Sequence, residues 1–566
     1  LPPYLNQMGA DNSRGLLLFD KGKALGPSGM RWLKIQIANL FGFDKASMSE
    51  REQFTMDHLD DVLDSANTGL RGRRWWLQAE DPWQLLAACC ELRNALQLSE
   101  PTEYVSHLPI HQDGSCNGLQ HYAALGGDRV GAQQVNLEPS DRPSDVYTGV
   151  CEFVKEEIAQ DAANGNDLAK LLDGRVNRKI VKQTVMTNVY GVTFLGATRQ
   201  VKRQLIDYLP DLSGPERNSA SFYISTKIFG ALGSMFNGAH EIQYWLGDCA
   251  QRITQSVTPE QIEELTQAAL VPKDERDEDY STSIDPEKSF RSTVIWTTPL
   301  GLPVVQPYRT RKSRRVQTSL QDISLVDPSS DDVVSKRKQL QAFPPNFIHS
   351  LDATHMIMSA NACQEAGLTF SAVHDSFWTH AADIDQMNLI LREAFVRMHS
   401  DDVVGRLGAE FKVRYGKNMF LARVSRSTRL GRAIFMHRSH TRISKLQELI
   451  NEHRRQTLLN SEDPEDQAEG RAMVTPCSIF EEMGGTDHDL TTYKKMSTNP
   501  IGHIPEVVPD PQRIPVGCSI DTTDPAIESL VGDLEMFEAK QTSHQPSHGE
   551  TSKVEDDVHG ELSSQG

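Results

Sequence analysis

Two short apolar segments, each followed by an aspartate in a turn, set the framework of this chain. The apolar segment 108–110 suits a strand, and Asp113 follows it in a glycine-containing turn. The segments 368–373 and 377–379 read as two strands with Asp375 between them, which predicts a hairpin with a carboxylate at its tip. The aspartates are 262 positions apart (375 − 113), and most of the intervening sequence is helical in pattern. We therefore predict an α+β chain that is mostly helical.

The segment Arg178–Gly191 is the second informative feature. Four of its residues are spaced four apart: Arg178, Lys182, Met186 and Tyr190. On an α-helix, residues with this spacing share one broad flank. Two cations near one end and an aromatic near the other suggest a surface that binds phosphates and a base or sugar. For this segment alone, an ordinary amphipathic helix with two surface cations is an equal alternative.

Charge is unevenly distributed along the chain. The formal net charge is −19, which alone would argue against a nucleic-acid partner. Residues 461–566 hold 22 acidic and 6 basic residues, a balance of −16, so residues 1–460 carry only −3. A local basic channel in the body is therefore compatible with the sequence. After about Ser461 the composition is typical of a mostly disordered segment.

Size and residue usage exclude several classes of protein. The 566 residues suffice for several domains or one large multi-lobed enzyme. No apolar run reaches the roughly 20 residues of a membrane helix, so no membrane insertion is expected. The eight cysteines form no CxxC pair, which favours buried thiols in a reducing compartment over a zinc site. The chain begins Leu-Pro-Pro without a secretory or transit signal, and we expect it to be a fragment.

Together these features form the inventory that phosphoryl transfer by two metal ions requires. Carboxylates such as Asp113 and Asp375 can bridge two Mg²⁺ ions, which activate an attacking hydroxyl and stabilise the leaving oxygen. Arg178 and Lys182 can bind a triphosphate and offset developing charge. The sequence has no Walker A motif and no kinase glycine-rich loop, which argues against an ATPase or kinase. Taken alone, Asp113 would read as an ordinary Asx-turn aspartate.

Three segments resemble the motifs of a known enzyme family. Asp113–His121, Arg178–Gly191 and His374–Phe377 are similar to motifs A, B and C of the single-subunit, bacteriophage-type RNA polymerases, in the same order and spacing. The segment 379–383 is closest to the mitochondrial branch of that family. The resemblance covers roughly residues 1–420, and the last hundred residues resemble no part of the family.

The resemblance implies a right-hand polymerase fold, in which a palm carries a small antiparallel sheet and a helical fingers domain is inserted into it. The first part of the palm, with motif A, would span 1–130. The fingers, with motif B and a charged loop near 272–290, would span 131–349. The second part of the palm, with motif C, would span 350–440. The remainder, 441–566, would be a helix followed by an acidic, largely disordered tail.

The resemblance also implies roles for individual residues. Asp113 and Asp375 would ligate two Mg²⁺ ions, with the backbone carbonyl of Gly114 assisting. Arg178 and Lys182 would meet the incoming triphosphate, and Lys182 would donate a proton to the pyrophosphate leaving group. Three further residues would contact the substrate or the nascent base pair: Tyr190 at the sugar, His349 from the minor-groove side, and Lys45 in a less defined active-site role.

One position distinguishes RNA from DNA synthesis. Related family A-like DNA polymerases carry a Glu five residues after the motif A aspartate, where it crowds a ribose 2′-hydroxyl. Here that position is Gly118, and Tyr190 offers a hydroxyl that can organise the sugar pocket. The sequence therefore favours a DNA-directed RNA polymerase. A family A-like DNA polymerase and a non-catalytic nucleic-acid-binding polymerase relic remain the alternatives.

The partners implied by the resemblance are a DNA template, nascent RNA, ribonucleoside triphosphates and a mitochondrial transcription initiation factor. A monomer in the mitochondrial matrix is expected on the same basis. Two departures from the family stand out. The Asp-x-Arg-Gly-Arg element, the thumb and the promoter-contacting region are absent, and the chain ends Ser-Ser-Gln-Gly instead of with an aromatic foot.

Overall fold

The computed structural model describes residues 11–188, 192–270, 292–310, 313–326, 333–373 and 375–486, together with 489 and 520–521. The helices are α1 (Asp11–Arg14), α2 (Gly26–Phe41), α3 (Met48–Asp57), α4 (Leu59–Thr68), α5 (Pro82–Leu96), α6 (Asn117–Gly126), α7 (Arg129–Gln134), α8 (Val146–Ala163), α9 (Asp167–Leu172), α10 (Arg178–Asn188), α11 (Phe194–Tyr208), α12 (Gly214–Met235), α13 (Asn237–Gln255), α14 (Pro259–Leu270), α15 (Lys336–Glu365), α16 (Ile384–His399), α17 (Val403–Tyr415), α18 (Arg429–Thr441), α19 (Lys445–Leu459), α20 (Pro464–Ala472) and α21 (Pro476–Glu482). Short 3₁₀ helices cover Trp75–Gln78, Pro101–Glu103 and Ala381–Asp383.

The strands are short and form small sheets. They are β1 (Lys23–Ala24), β2 (Val105–Ser106), β3 (Pro109–Asp113), β4 (Ile295–Thr297), β5 (Pro303–Val305), β6 (Ser313–Gln317), β7 (Asp322–Val326), β8 (Ser371–Val373), β9 (Ser376–His380), β10 (Ala422–Arg423) and β11 (Ile520–Asp521). The prediction of a mostly helical α+β chain is confirmed. None of the described helices is long and apolar enough to cross a lipid bilayer.

The sheet that positions the candidate site has three antiparallel strands in the order β3-β9-β8. Strands β8 and β9 form the predicted hairpin, with Asp375 in its turn. Strand β3 pairs with β9 in a register that sets Asp113 opposite Ser376. Strand β9 is buried along its whole length, as expected for the central strand of a covered sheet. The two ends of the long helical region are thus joined by hydrogen-bonded strands.

Two apolar cores meet near this sheet. One packs α2 and α5 against the strands through Ile110 and Phe377. The larger core joins α8 and α10–α13 to α15 and α17, and it contains the buried Trp245 and Trp296. Helix α6, which follows β3, contributes Leu119 to the larger core. The end of β3 therefore lies where the chain passes from one core to the other.

Helix α15 contains Pro344 and Pro345 in its interior, although proline is best tolerated in the first turn of a helix. It begins at Lys336. Its first turns are anchored by a buried amide pair. Gln306 Nε2 donates to Gln339 Oε1 at 2.7 Å, and Gln339 Nε2 donates to the backbone oxygen of Gln306 at 2.8 Å. Tertiary hydrogen bonds thus outweigh local propensity.

The folded part of the chain also extends further than predicted. We expected disorder from about Ser461, but α20 and α21 continue the structure to Glu482. Both helices have a proline in the first turn and a side-chain N-cap, from Asp463 and Thr475 respectively. Capping and burial at these helices outweigh the acidic composition. Beyond residue 486 only 489 and 520–521 are described, and there β11 runs parallel to β10.

A buried ion-pair network joins α19 to α21. The Arg455 side chain is 4% exposed and its Nη2 lies 2.9 Å from Glu452 Oε1 and 2.9 Å from Glu481 Oε1. Thr475 Oγ1 donates to Glu452 Oε2 at 2.6 Å. Because Glu452 is fully buried, these partners replace the water that its carboxylate has lost.

Arg455→Ala is expected to lower the free energy of unfolding by about 3–5 kcal/mol, because Glu452 would remain buried without its cation. Urea unfolding followed by circular dichroism measures the change. Arg454→Ala is the matched control, since its ion pair with Glu469 is exposed and such pairs contribute about 0–1 kcal/mol. Equal effects of the two substitutions would contradict the prediction.

Candidate active site

The two predicted metal-binding aspartates meet at one end of the three-stranded sheet. Asp113 ends β3 opposite Ser376, the residue that follows Asp375. Opposed residues on antiparallel strands have Cα atoms about 4.5–5.5 Å apart and consecutive Cα atoms are about 3.8 Å apart, so the Cα atoms of the two aspartates are separated by at most about 9 Å. Both residues are exposed. Among the described residues, the Asp113 carboxylate has no hydrogen-bond or ion-pair partner, which leaves it available to a ligand.

The turn after Asp113 is tightly constrained. Cys116 has a left-handed backbone (φ 75°, ψ 69°) at the N-terminus of α6, a conformation that costs a non-glycine residue about 1 kcal/mol or more. Gly114 lies beneath the side chain of Asn117, whose Oδ1 would be 1.7 Å from a Cβ at this position. Asn117 Nδ2 donates to Asp352 Oδ1 of α15 at 3.2 Å. The carbonyl that we expect to assist metal binding thus belongs to a turn that α15 holds in place.

Helix α10 has the predicted cationic flank. Its buried face is apolar apart from two small polar side chains and consists of Ile180, Val181, Thr184, Val185 and Asn188. On the other face Lys182 is exposed, and the side chain of Arg178 is 37% exposed. The predicted helix is confirmed from Arg178 to Asn188. Tyr190, its predicted aromatic end, lies outside the described residues.

Two residues at the start of α8 contact this flank, and the sequence analysis did not identify them. Arg178 Nε donates to Asp145 Oδ2 at 2.6 Å, and this hydrogen bond is the main reason that the pKa of Arg178 is raised. The Tyr147 ring centre lies 5.3 Å from Arg178 Cζ and 5.8 Å from Lys182 Nζ, within cation–π range. Tyr147 also hydrogen-bonds the Cys116 thiol. It therefore connects the cationic helix to the turn that follows β3.

Asp375 and Lys45 affect the pKa values of groups at this site. Burial raises the pKa of the Cys116 thiol, and the negative charge of Asp375 raises it further. Burial would also raise the pKa of Asp145, but hydrogen bonds, chiefly from Arg178, and the charge of Lys45 lower it. Lys45 itself forms an exposed ion pair with Asp44 at 2.7 Å. Carboxylates, cations and the constrained turn thus converge on one site.

His349 lies on the exposed side of α15, one turn before Asp352. Asp352 Oδ1 is 3.7 Å from His121 Nε2, and His121 Nδ1 lies 2.9 Å from His399 Nε2. Burial would raise the pKa of Asp352, but hydrogen bonds from His121 and Asn117 lower it. This polar network fixes the helix that carries His349 next to the turn after β3.

The residues that could hold Mg²⁺ are Asp113, Asp375 and the carbonyl of Gly114. Within the described ranges, no three or more His, Cys, Asp or Glu side chains are grouped to bind a metal ion. Two exposed carboxylates fit Mg²⁺ well, since this ion prefers a few carboxylates together with water and substrate phosphates.

Comparison with known proteins gives a consistent result. Residues 23–554 match the family described as DNA-dependent RNA polymerase. The chain is 51% identical over 521 residues to the mitochondrial DNA-directed RNA polymerase of Neurospora crassa, covering 89% of this chain and 36% of that protein. It is 47% identical over 418 residues to the mitochondrial DNA-directed RNA polymerase of Schizosaccharomyces pombe, covering 73% and 34%. For the chloroplastic/mitochondrial DNA-directed RNA polymerase 2 of Arabidopsis thaliana, the identity is 46% over 420 residues, covering 73% and 38%.

These matches extend the resemblance beyond the predicted range and show how much of its relatives the chain covers. The predicted resemblance ended near residue 420 and left out the last hundred residues, whereas the family match continues to residue 554. The chain spans about a third of the length of these relatives, between 34% and 38%.

Proposed function

This chain belongs to the DNA-dependent RNA polymerase family, and on that premise we propose that it catalyses template-dependent transfer of ribonucleotides to an RNA 3′-hydroxyl. The observation that carries the proposal is the pairing of β3 with β9. It brings Asp113 and Asp375 together, and Tyr147 links the cations of α10 to the turn that follows β3. Two carboxylates beside a cationic, aromatic-lined surface can hold both a metal-bound triphosphate and an attacking hydroxyl.

The roles of the chain's own groups follow from this arrangement. Asp113, Asp375 and the Gly114 carbonyl would hold two Mg²⁺ ions. Bound Mg²⁺ supplies activation of the 3′-hydroxyl and stabilisation of the leaving oxygen. The guanidinium of Arg178, oriented by Asp145, binds the triphosphate, and the ring of Tyr147 supports both cations.

Lys182 is assigned to the leaving group. Its ammonium donates a proton from Nζ as the bond between the α-phosphorus and the bridging oxygen breaks, so that pyrophosphate departs with less negative charge. The 3′-hydroxyl gives its proton to solvent water, and its oxygen forms the new bond to the α-phosphorus as the bond to pyrophosphate breaks. Lys182 then regains a proton from solvent. His349 would then contact the new base pair from the minor-groove side, and Lys45 would contribute positive charge near the triphosphate.

We also infer a right-hand architecture. The β3-β9-β8 sheet would form the palm, from the segments 1–130 and 350–440, and the helices of 131–349 would form the fingers. The pairing of strands from the two palm segments across the helical region supports this division. The charged loop near 272–290 lies outside the described residues.

Primer extension on a DNA template should show a strong preference for ribonucleotides over deoxyribonucleotides. Gly118, five residues after Asp113, is buried in the first turn of α6 and carries no side chain that could crowd a 2′-hydroxyl. We expect Tyr190→Phe to relax sugar selection about tenfold or more while keeping most of the activity, because a site that hydrogen-bonds a hydroxyl discriminates strongly against its absence.

Relative rates with matched ribo- and deoxyribonucleotides measure both effects. A wild-type preference for deoxyribonucleotides would favour a family A-like DNA polymerase instead. No extension with either substrate, despite template binding, would favour a non-catalytic relic. Unchanged selectivity in Tyr190→Phe would remove the sugar role from that residue.

The partners and location follow from the same proposal. We propose that the protein works as a monomer on a DNA template, nascent RNA and ribonucleoside triphosphates, with a transcription initiation factor at promoters. The Neurospora and Schizosaccharomyces relatives are both mitochondrial RNA polymerases, which supports the mitochondrial matrix as the site of action.

A further inference from the structure

The segment 425–447 has an unusual charge composition. It contains six arginine or lysine residues and no aspartate or glutamate, in a chain whose net charge is −19. One of the arginines stabilises the fold: Arg438 Nη2 of α18 lies 2.9 Å from Oε1 of the buried Glu448 of α19. Three others, Arg429, Arg432 and Arg442, need another explanation.

Helix α18 displays Arg429 and Arg432 on one face. Its inner face buries Leu430 and Ile434 in the larger core. On the outer face Arg429, Arg432 and Met436 are all exposed, and their spacing of three and four residues places them in one row. Burial thus fixes the orientation of the helix and leaves this row open to solvent.

Exposed apolar groups lie among the cations. Phe435 is 41% exposed and Met436 is 60% exposed. The Arg426 guanidinium, just before the helix, stacks over the Phe435 ring at 4.4 Å. Arg442 is exposed at the other end of the helix. We call the set Arg426, Arg429, Arg432, Phe435, Met436 and Arg442 the arginine surface.

Stability of the helix does not account for the arginine surface. Arg429 and Arg432 lie in the first turn of α18, where a cation opposes the helix dipole, and no acidic residue offsets them there. Within the described ranges, neither residue has an ion-pair partner, and the same holds for Arg442. Residues that disfavour their local structure and have no ion-pair partner among the described residues point to a partner beyond them.

We propose that the arginine surface binds a single-stranded polynucleotide. Arginines supply charge-assisted hydrogen bonds to phosphates. An exposed aromatic ring with a stacked guanidinium offers a platform on which an unpaired base can stack, whatever its identity. The phosphates of a duplex could contact the arginines, but its paired bases would not stack on the Phe435 ring. The surface is formed by residues outside the proposed catalytic site, so it can be tested without catalysis.

The test measures binding by fluorescence anisotropy with the whole 566-residue chain, without nucleotides. The probes are an oligoribonucleotide of about 12 nucleotides, its DNA counterpart and a DNA duplex. Arg429→Glu/Arg432→Glu should weaken binding of the single strands about tenfold and make the slope of log affinity against log salt shallower by about 1.4, or 0.7 per lost phosphate contact. Phe435→Ala should weaken single-strand binding about fivefold and leave duplex binding unchanged. The two single-stranded probes show whether RNA or DNA is preferred.

Arg71→Glu/Arg392→Glu is the matched control, because both arginines are exposed and lie outside the surface. The proposal would be overturned if the control and Arg429→Glu/Arg432→Glu lost the same affinity for the single strands, or if neither lost any. Equal losses for duplex and single strands, with no effect of Phe435→Ala, would overturn the single-strand assignment. If Arg429→Glu/Arg432→Glu bound the single strands more tightly than wild type, the arginine surface would be occupied by the chain's own acidic residues instead.

Discussion

Asp375→Asn is expected to reduce metal-dependent RNA extension by about a thousandfold or more, while binding of a primed template stays within about twofold of wild type. Asparagine keeps the size of the side chain in the β8–β9 turn but removes the charge that a divalent ion needs. Metal ions contribute several kcal/mol of transition-state stabilisation, and about 4 kcal/mol corresponds to a thousandfold in rate. Because Asp375 is exposed in a turn, the substitution should not disturb the fold.

Single-nucleotide extension rates at several Mg²⁺ concentrations measure this effect. Asp401→Asn is the control, since Asp401 is an exposed aspartate that lies 3.7 Å from Arg406 and outside the site. Extension by Asp375→Asn at near wild-type rates would remove the paired aspartates from catalysis. A parallel loss of template binding would instead indicate that Asp375 supports the fold of the site.

Lys182→Ala is expected to lower the maximal extension rate about a hundredfold to ten-thousandfold, the range contributed by general acid catalysis. Lys182→Arg should recover nucleotide affinity but little of the rate, because a guanidinium retains the charge and gives up a proton far less readily. The apparent KM for the nucleotide therefore reports the role of the Lys182 charge, and the maximal rate reports its role in proton transfer.

Lys179→Ala provides an internal comparison on the same helix. Lys179 is exposed like Lys182, but its Nζ faces Tyr208 at 5.8 Å, away from the ring of Tyr147. It should therefore retain near wild-type rates. If Lys182→Arg were as active as wild type, proton donation by Lys182 would be excluded, and its role would be electrostatic alone.

Local patterns predicted the elements that carry the site. Short apolar segments and turn residues sufficed for β3 and for the β8–β9 hairpin, and the spacing of Arg178 and Lys182 sufficed for α10. What these patterns could not supply was the pairing of β3 with β9, because nothing local in either strand specifies a partner more than 260 residues away.

The same limit explains the residues that were missed. Asp145 is recognisable as an N-cap, but its bond to Arg178 depends on how α8 packs against α10. The left-handed Cys116 and the bond from Asn117 to Asp352 likewise arise from tertiary contacts. Composition misjudged the first part of the acidic tail, 464–482, for a related reason, since capping and burial of specific side chains decide whether an acidic segment folds.

The pairing of β3 with β9 has a consequence for how the protein is made. Closing a loop of 262 residues (375 − 113) costs about 5 kcal/mol of chain entropy, and contacts at such separation form slowly. We expect the intervening helices to condense around their own core first and so bring the two strands together. A nascent chain on the ribosome would then carry a finished α10 for some time before the proposed catalytic centre existed, because that centre would form only when β9 emerged and completed the sheet.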